Sequence, residues 1–205
     1  MAETRTQKAV CRECGKPFEV ELFPVLINVG REPSYKEDIK NGSLFTRVCP
    51  HCGAVNMVLA PLLYHDPDAR IIIWLNPQGP AQGQDFTDTM KADDLKGYTL
   101  RKVEDAGSLI EKVRIFEAGL DDAAVEMCKF VSGQELNAKG LRFRGFAGAD
   151  NEMEFIFPRN GQMHSVKVGF NVYEDSRAIL ARNPSVVPGG LFPKIDSDWT
   201  EQVFG

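Results

Sequence analysis

The chain has 205 residues, 43% of them hydrophobic and 26% charged, and a formal net charge of −5 from 24 basic and 29 acidic side chains. That length and composition bury a real core in one or two domains, and the acidic balance lacks the broad basic footprint of a nucleic-acid binder. The opening MAETRTQKAV has no apolar run, and no stretch approaches the length of a membrane span, so a cytoplasmic protein without membrane attachment is expected.

In chain order, the first landmark is CRECG, with Cys11 and Cys14. Residues 18–29 follow as a strand, Phe18, Val20 and Leu22 alternating with Glu19 and Glu21 until Pro24 interrupts the ladder. A short helix is predicted over 34–40, with Ser34 as N-cap and Asn41-Gly42 as its stop. A strand over 44–48 leads into a second landmark, CPHCG, with Cys49 and Cys52. Residues 54–64 continue as a strand, His65-Asp66-Pro67-Asp68 reads as a polar hairpin tip, and residues 70–75 return antiparallel. Residues 77–97 are rich in Pro, Gly, Gln and Asp, the composition of a mobile linker.

Residues 98–103 read as a short strand. Leu109, Ile110, Val113 and Phe116 then mark one face of a helix over 106–116. Asp121 caps a second helix over 121–131, whose inward stripe is Ala124, Val125, Cys128 and Val131. The short connection through Gly119 predicts an antiparallel helical hairpin. Cys128 on the stripe reads as a small buried hydrophobe. Residues 140–170 alternate as a three-stranded antiparallel meander, broken by GADN and PRNGQ, with Leu141 and Phe143 on one face and Arg142 and Arg144 on the other. A helix over 173–183 closes on the meander, and Trp199 is expected to dock the C-terminal turn. The fold class is therefore α+β: a zinc-ribbon-like antiparallel β domain over 1–76, a linker over 77–97, and an α+β domain over 98–205.

The chemistry concentrates in the cysteines. Each pair is C-x-x-C followed by glycine, Gly15 or Gly53, the pattern of a knuckle in which two thiolates flank a tight turn. Two knuckles supply the four soft ligands of one tetrahedral zinc ion: Cys11, Cys14, Cys49 and Cys52. The 34 residues between the pairs call for an elaborated ribbon rather than a minimal finger. Two disulfides, or a redox-active dithiol, are the competing readings, and a reducing compartment favours metal over both. His51, inside the second knuckle, is expected to face solvent and stay out of the ligand set.

The residues CRECG, LFPVLINV, NGSLFTRVCPHCG, PLLYHDPDARIIIWLNP and EKVRIFEAGLDD, in that order, resemble the bacterial CpXC protein family over about residues 9–131. Arg12 stands in the first motif where the second has Pro50. The resemblance implies a zinc-ribbon-like domain and a bacterial cytoplasm, and it carries no activity with it.

Three functions compete. A site closed by four thiolates has no open position for substrate, which favours a structural zinc ribbon acting as a protein-interaction module, with self-association a further expectation. Nucleic-acid binding is the alternative, carried by Arg12 and Lys16 beside the first knuckle and by the Arg142/Arg144 face. An enzyme, with His65 and its neighbouring carboxylates in acid–base roles, is the least favoured, because a turn needs such residues anyway. A redox switch that ejects zinc on oxidation is a further reading.

Overall fold

A computed structural model describes residues 5–77, 95–148 and 152–205. The chain divides into two compact units, Met1–Ile110 and Glu111–Gly205.

In the first unit, β1 (Thr6–Val10) and β2 (Pro17–Glu21) form one antiparallel pair with the first knuckle at its tip. Alternation puts Phe18 and Val20 inward and Glu19 and Glu21 outward. Residues 22–25 break the expected long strand, and β3 (Leu26–Asn28) joins a different sheet. Helix α1 (Ser34–Lys40) has the predicted bounds, but Pro33 holds the N-cap position and no side chain caps it, so Ser34 lies inside the helix. After a 3-10 turn over Ser43–Phe45, β4 (Thr46–Val48) and β5 (Val55–Met57) make the second antiparallel pair, with the second knuckle at its tip.

The strand expected over 54–64 is interrupted at 58–61. Its second half is β6 (Leu62–Asp66), which pairs antiparallel with β7 (Ile71–Leu75). Every residue of β7 is buried, which explains its unbroken apolar run. Strand β8 (Thr99–Val103) lies parallel to β7, and β3 parallel to β6, giving the order β3-β6-β7-β8. The sequence reading attaches residues 98–110 to the second domain; the pairing of β8 with β7 attaches them to the first unit. Of the linker expected over 77–97, residues 78–94 lie outside the described residues.

The boundary between units falls within α2 (Ala106–Glu117). Helix α3 (Asp122–Leu136) extends past its expected end at Val131. Asp121 caps it as expected, its Oδ1 accepting from the amides of Ala123 (2.8 Å) and Ala124 (3.0 Å). Packing within this unit differs from a simple helical hairpin. Helix α3 lies chiefly against α4 (Phe170–Arg182) and α5 (Ser197–Phe204). Its links to α2 include buried ion pairs: Lys112 Nζ lies 2.7 Å from Asp122 Oδ2, and Lys129 Nζ 2.9 Å from Glu111 Oε1.

The meander is β9 (Arg142–Ala147), β10 (Glu152–Arg159) and β11 (Gln162–Val168), antiparallel in the order β11-β10-β9. Asn160 (φ 53°) and Gly161 (φ 75°) form the two-residue turn between β10 and β11, where paired positive φ matches the twist of the strands. The pairing of β9 with β10 shifts by one residue between Glu154 and Phe155, leaving Arg144 extra. This bulge brings Phe146 onto the face of Phe143, the two rings 6.0 Å apart edge to face, rather than onto the basic face. Phe143, Met153, Phe155, Tyr173 and Trp199 share one core with α3. Trp199 is the expected anchor, its Nε1 donating to the Val186 carbonyl at 2.9 Å. Cys128 is fully buried, and burial pushes its thiol up to about 11, as suits an inert packing residue.

Candidate metal centre

Each knuckle is set by the same two backbone bonds. The Cys11 amide donates to the Lys16 carbonyl (3.0 Å) and the Gly15 amide to the Cys11 carbonyl (2.9 Å). In the second knuckle, Cys49 donates to Ala54 (2.8 Å) and Gly53 to Cys49 (2.9 Å). Gly15 and Gly53 hold φ of 69° and 75°, yet nothing lies within 4 Å of where a Cβ would sit. Glycine is needed there for its left-handed backbone and not for space.

The four sulfurs lie within 4.8 Å of one another, in a cluster that joins both knuckles. Across the knuckles, Cys11 Sγ is 3.6 Å from Cys52 Sγ, and Cys14 Sγ is 3.8 Å from Cys49 Sγ. Thiolates about 2.3 Å from a central tetrahedral ion stand about 3.8 Å apart, so these separations suit such an ion. They far exceed a disulfide bond of about 2.05 Å, and all four cysteines are free. Cys11 and Cys49 are buried, Cys14 is half-buried and Cys52 is exposed.

Electrostatics divide the four. The Cys14 amide, opposing the effect of burial and helped by the Asn56 carboxamide, the Glu13 amide and the Cys52 thiol, draws the Cys11 thiol from 9.0 down to about 6. For Cys52 the Ala54 amide acts downward, but burial and the thiols of Cys11, Cys14 and Cys49 outweigh it and push the group up to about 12. Clustered thiols cannot all ionise unless a cation balances them. The donor set and its spacing thus position these residues to bind a metal ion.

His51, expected to face solvent, is exposed, and its Nε2 donates to the Pro17 carbonyl at 3.3 Å. Arg12 and Lys16 are exposed beside the first knuckle. Arg142 and Arg144 belong to the second unit, where Arg142 pairs with Glu111 at 3.3 Å and Arg144 with Glu154 at 3.5 Å. His65 and Asp66 are not at an exposed tip. They close strand β6, and the turn begins after them. Asn28 Oδ1 accepts from the Gly30 and Arg31 amides, so its Nδ2 donates to His65 Nδ1 (3.2 Å), while His65 Nε2 donates to Tyr98 Oη (3.1 Å). Buried Asp66 sits 2.7 Å from the Lys36 ammonium. These partners give both residues structural work within the sheet.

Sequence reasoning missed Asn56. It is buried on β5, beyond the second knuckle, and bonded to the first knuckle through the Arg12 amide and Cys11 Sγ. Its signal was a lone polar residue at an inward position of AVNMVL.

A four-cysteine centre held by two ribbon-like hairpins is a defined class of site, and the sequence around it is also recognisable. The model of the CpXC protein family matches residues 9–129, and the chain belongs to that family. No curated protein and no solved structure matches the chain.

Proposed function

We propose that Cys11, Cys14, Cys49 and Cys52 hold one structural zinc ion, and that the ribbon closed by it is a protein-interaction module. Zinc suits four thiolates in tetrahedral array, and a set closed by protein leaves no position for water or substrate, which argues against catalysis at this centre. The hairpins need such support. Among the described residues, the apolar cluster around the cysteines has Phe18, Val20 and Val58 as buried partners, each contributing about 2 kcal/mol, with Ala9, Leu22 and Ala54 half-buried. Structural zinc contributes about 10–16 kcal/mol in small zinc-folded peptides at neutral pH.

The observation that carries the interaction reading is the outer face of the second hairpin. Val48 and Val55 face each other across β4–β5, with Met57 two residues on, and they are 64%, 68% and 56% exposed. Apolar side chains grouped on a short hairpin differ from the single exposed hydrophobics of an ordinary surface. Their inward-facing neighbour, Asn56, is committed to the metal centre, so the hairpin is built with one side for the ion and the other for a partner.

Nucleic-acid binding is less favoured, because Arg142 and Arg144 are engaged with carboxylates and the net charge is −5. No helix among the described residues is long and apolar enough to cross a membrane. A cytoplasmic location belongs to the proposed reading, because a reducing compartment keeps the thiols available to a metal. The test is a pull-down from the native lysate with wild-type protein, with chelator-treated protein, and with the double variant Val55→Glu/Met57→Glu. The reading requires a protein captured by the wild type and lost in both other arms, while the double variant keeps one equivalent of zinc. Capture of nucleic acid that weakens steeply with salt would support the alternative.

A further inference from the structure

The two knuckles repeat each other in backbone but not in what stands behind them. Counting from the first cysteine of each pair, the residue seven positions on is Phe18 in the first hairpin and Asn56 in the second. Phe18 is buried in the apolar cluster with Cys49. Asn56, 4% exposed, crosses to the opposite knuckle. Its Oδ1 accepts from the Arg12 amide at 3.0 Å, and its Nδ2 donates to the Ala54 carbonyl at 3.0 Å and to Cys11 Sγ at 3.5 Å. The Arg12 amide fixes which end of the carboxamide is oxygen. The nitrogen then has two protons and two acceptors, one of them the sulfur.

We propose that Asn56 is the positioning residue of the metal centre, locking Cys11 as its least labile ligand and leaving Cys52 as the ligand that dissociates first. The proposal rests on the metal-binding reading above. Three arguments support this polarity. A hydrogen bond to a ligand atom fixes its orientation and withdraws charge from it, and loss of such outer partners typically costs about 10- to 100-fold in metal affinity. The same carboxamide ties the first knuckle, through Arg12, to the strand that leaves the second, so it holds the two halves of the site in register. Finally, Cys11 is 1% exposed whereas Cys52 is exposed, so reagents and competing ligands reach the centre from the Cys52 side. The centre therefore opens in one direction, beginning at Cys52, although its four ligands are chemically alike.

The experiment uses the full chain loaded with cobalt(II), whose thiolate-to-metal charge-transfer band reports on the sulfurs. Asn56→Leu removes all three hydrogen bonds. Asn56→Asp keeps the shape and the acceptor for Arg12 but cannot donate to Cys11. In both variants we expect one bound cobalt, a charge-transfer band shifted to longer wavelength, and metal loss to a chelator faster by about 10-fold or more. Limited treatment of the wild type with iodoacetamide, mapped by mass spectrometry, should modify Cys52 first and Cys11 last; in the variants, Cys11 should move earlier. An unshifted band with wild-type loss rates in Asn56→Asp would overturn the proposal, as would modification of wild-type Cys11 as early as Cys52. Failure of the wild type to bind cobalt at all would instead overturn the metal-binding reading, and this inference with it.

Discussion

The cysteine hairpins and the C-terminal meander are both small antiparallel β structures, yet different forces hold them. Around the cysteines, Phe18, Val20 and Val58 are buried among the described residues, with Ala9, Leu22 and Ala54 half-buried against them. Around the meander, Phe143, Met153, Phe155, Tyr173 and Trp199 interlock with α3 in a core many residues deep. The first region has strands of five and three residues in pairs, too short to bury a core of their own. The second has strands of six to eight residues with a helix layer over them. In the reading proposed above, an ion does the folding where burial is scarce; where burial is ample, polar groups can be buried at a cost and still be tolerated.

The sharpest way to break this contrast is to remove one ligand. Cys11→Ser or Cys49→Ser should abolish stoichiometric zinc and take from the hairpins stabilisation on the order of 10 kcal/mol. Metal analysis reads the first effect, and the near-ultraviolet and NMR signals of residues 5–21 and 46–58 the second. Retention of a full equivalent of zinc in either variant would count against the ligand assignment.

A change in the other unit should do the converse. Asp122 is 1% exposed and its carboxylate meets Lys112, itself 3% exposed. Asp122→Asn removes the nearer of the two carboxylates around that ammonium, leaving it Glu126 at 3.5 Å, and should cost about 2 kcal/mol in denaturant unfolding, with zinc content unchanged. This differs from a simple capping role, in which Asn would replace Asp at little cost. Asp121 keeps that simpler role: Asp121→Asn should be nearly neutral and Asp121→Ala should cost about 1 kcal/mol.

Smaller effects distinguish backbone from ligand within the centre. Gly15→Ala and Gly53→Ala have room for the new methyl but not the right φ, and each should cost about 1 kcal/mol while leaving all four sulfurs able to bind. Acid should act on the metal directly. The Cys11 thiol is held at about 6 by the Cys14 amide, below its ordinary 9.0. Its contribution is thus fully present above the ordinary value and is lost as pH falls through about 6. Zinc uptake should release protons, and affinity should fall as pH is lowered through that range, read by competition with a zinc indicator.

Much of this was legible in the sequence where signals are local. The C-x-x-C-G repeats placed both knuckles, and Asp121 marked its helix start to the residue. The Asn160-Gly161 turn separated β10 from β11. What escaped depends on partners distant in the chain. The parallel pairing of β8 with β7 needs knowledge of which strands are neighbours. The register shift at Arg144 carries no local mark beyond Gly145, and it moved Phe146 to the other face. Lys112 and Asp122 each look like surface charges until the fold buries them together. Asn56 was hidden for the same reason, because its two knuckle partners, Arg12 and Cys11, are 44 and 45 residues away.

Hydrogen exchange on the full chain, before and after zinc removal by a chelator, tests the central contrast most directly. The account predicts that amides of β1, β2, β4, β5 and both knuckles lose protection, while β9–β11, α3 and α4 keep theirs. Uniform loss along the chain would mean one cooperative unit, and unchanged protection at the knuckles would mean that the hairpins stand without the ion; either result would contradict it.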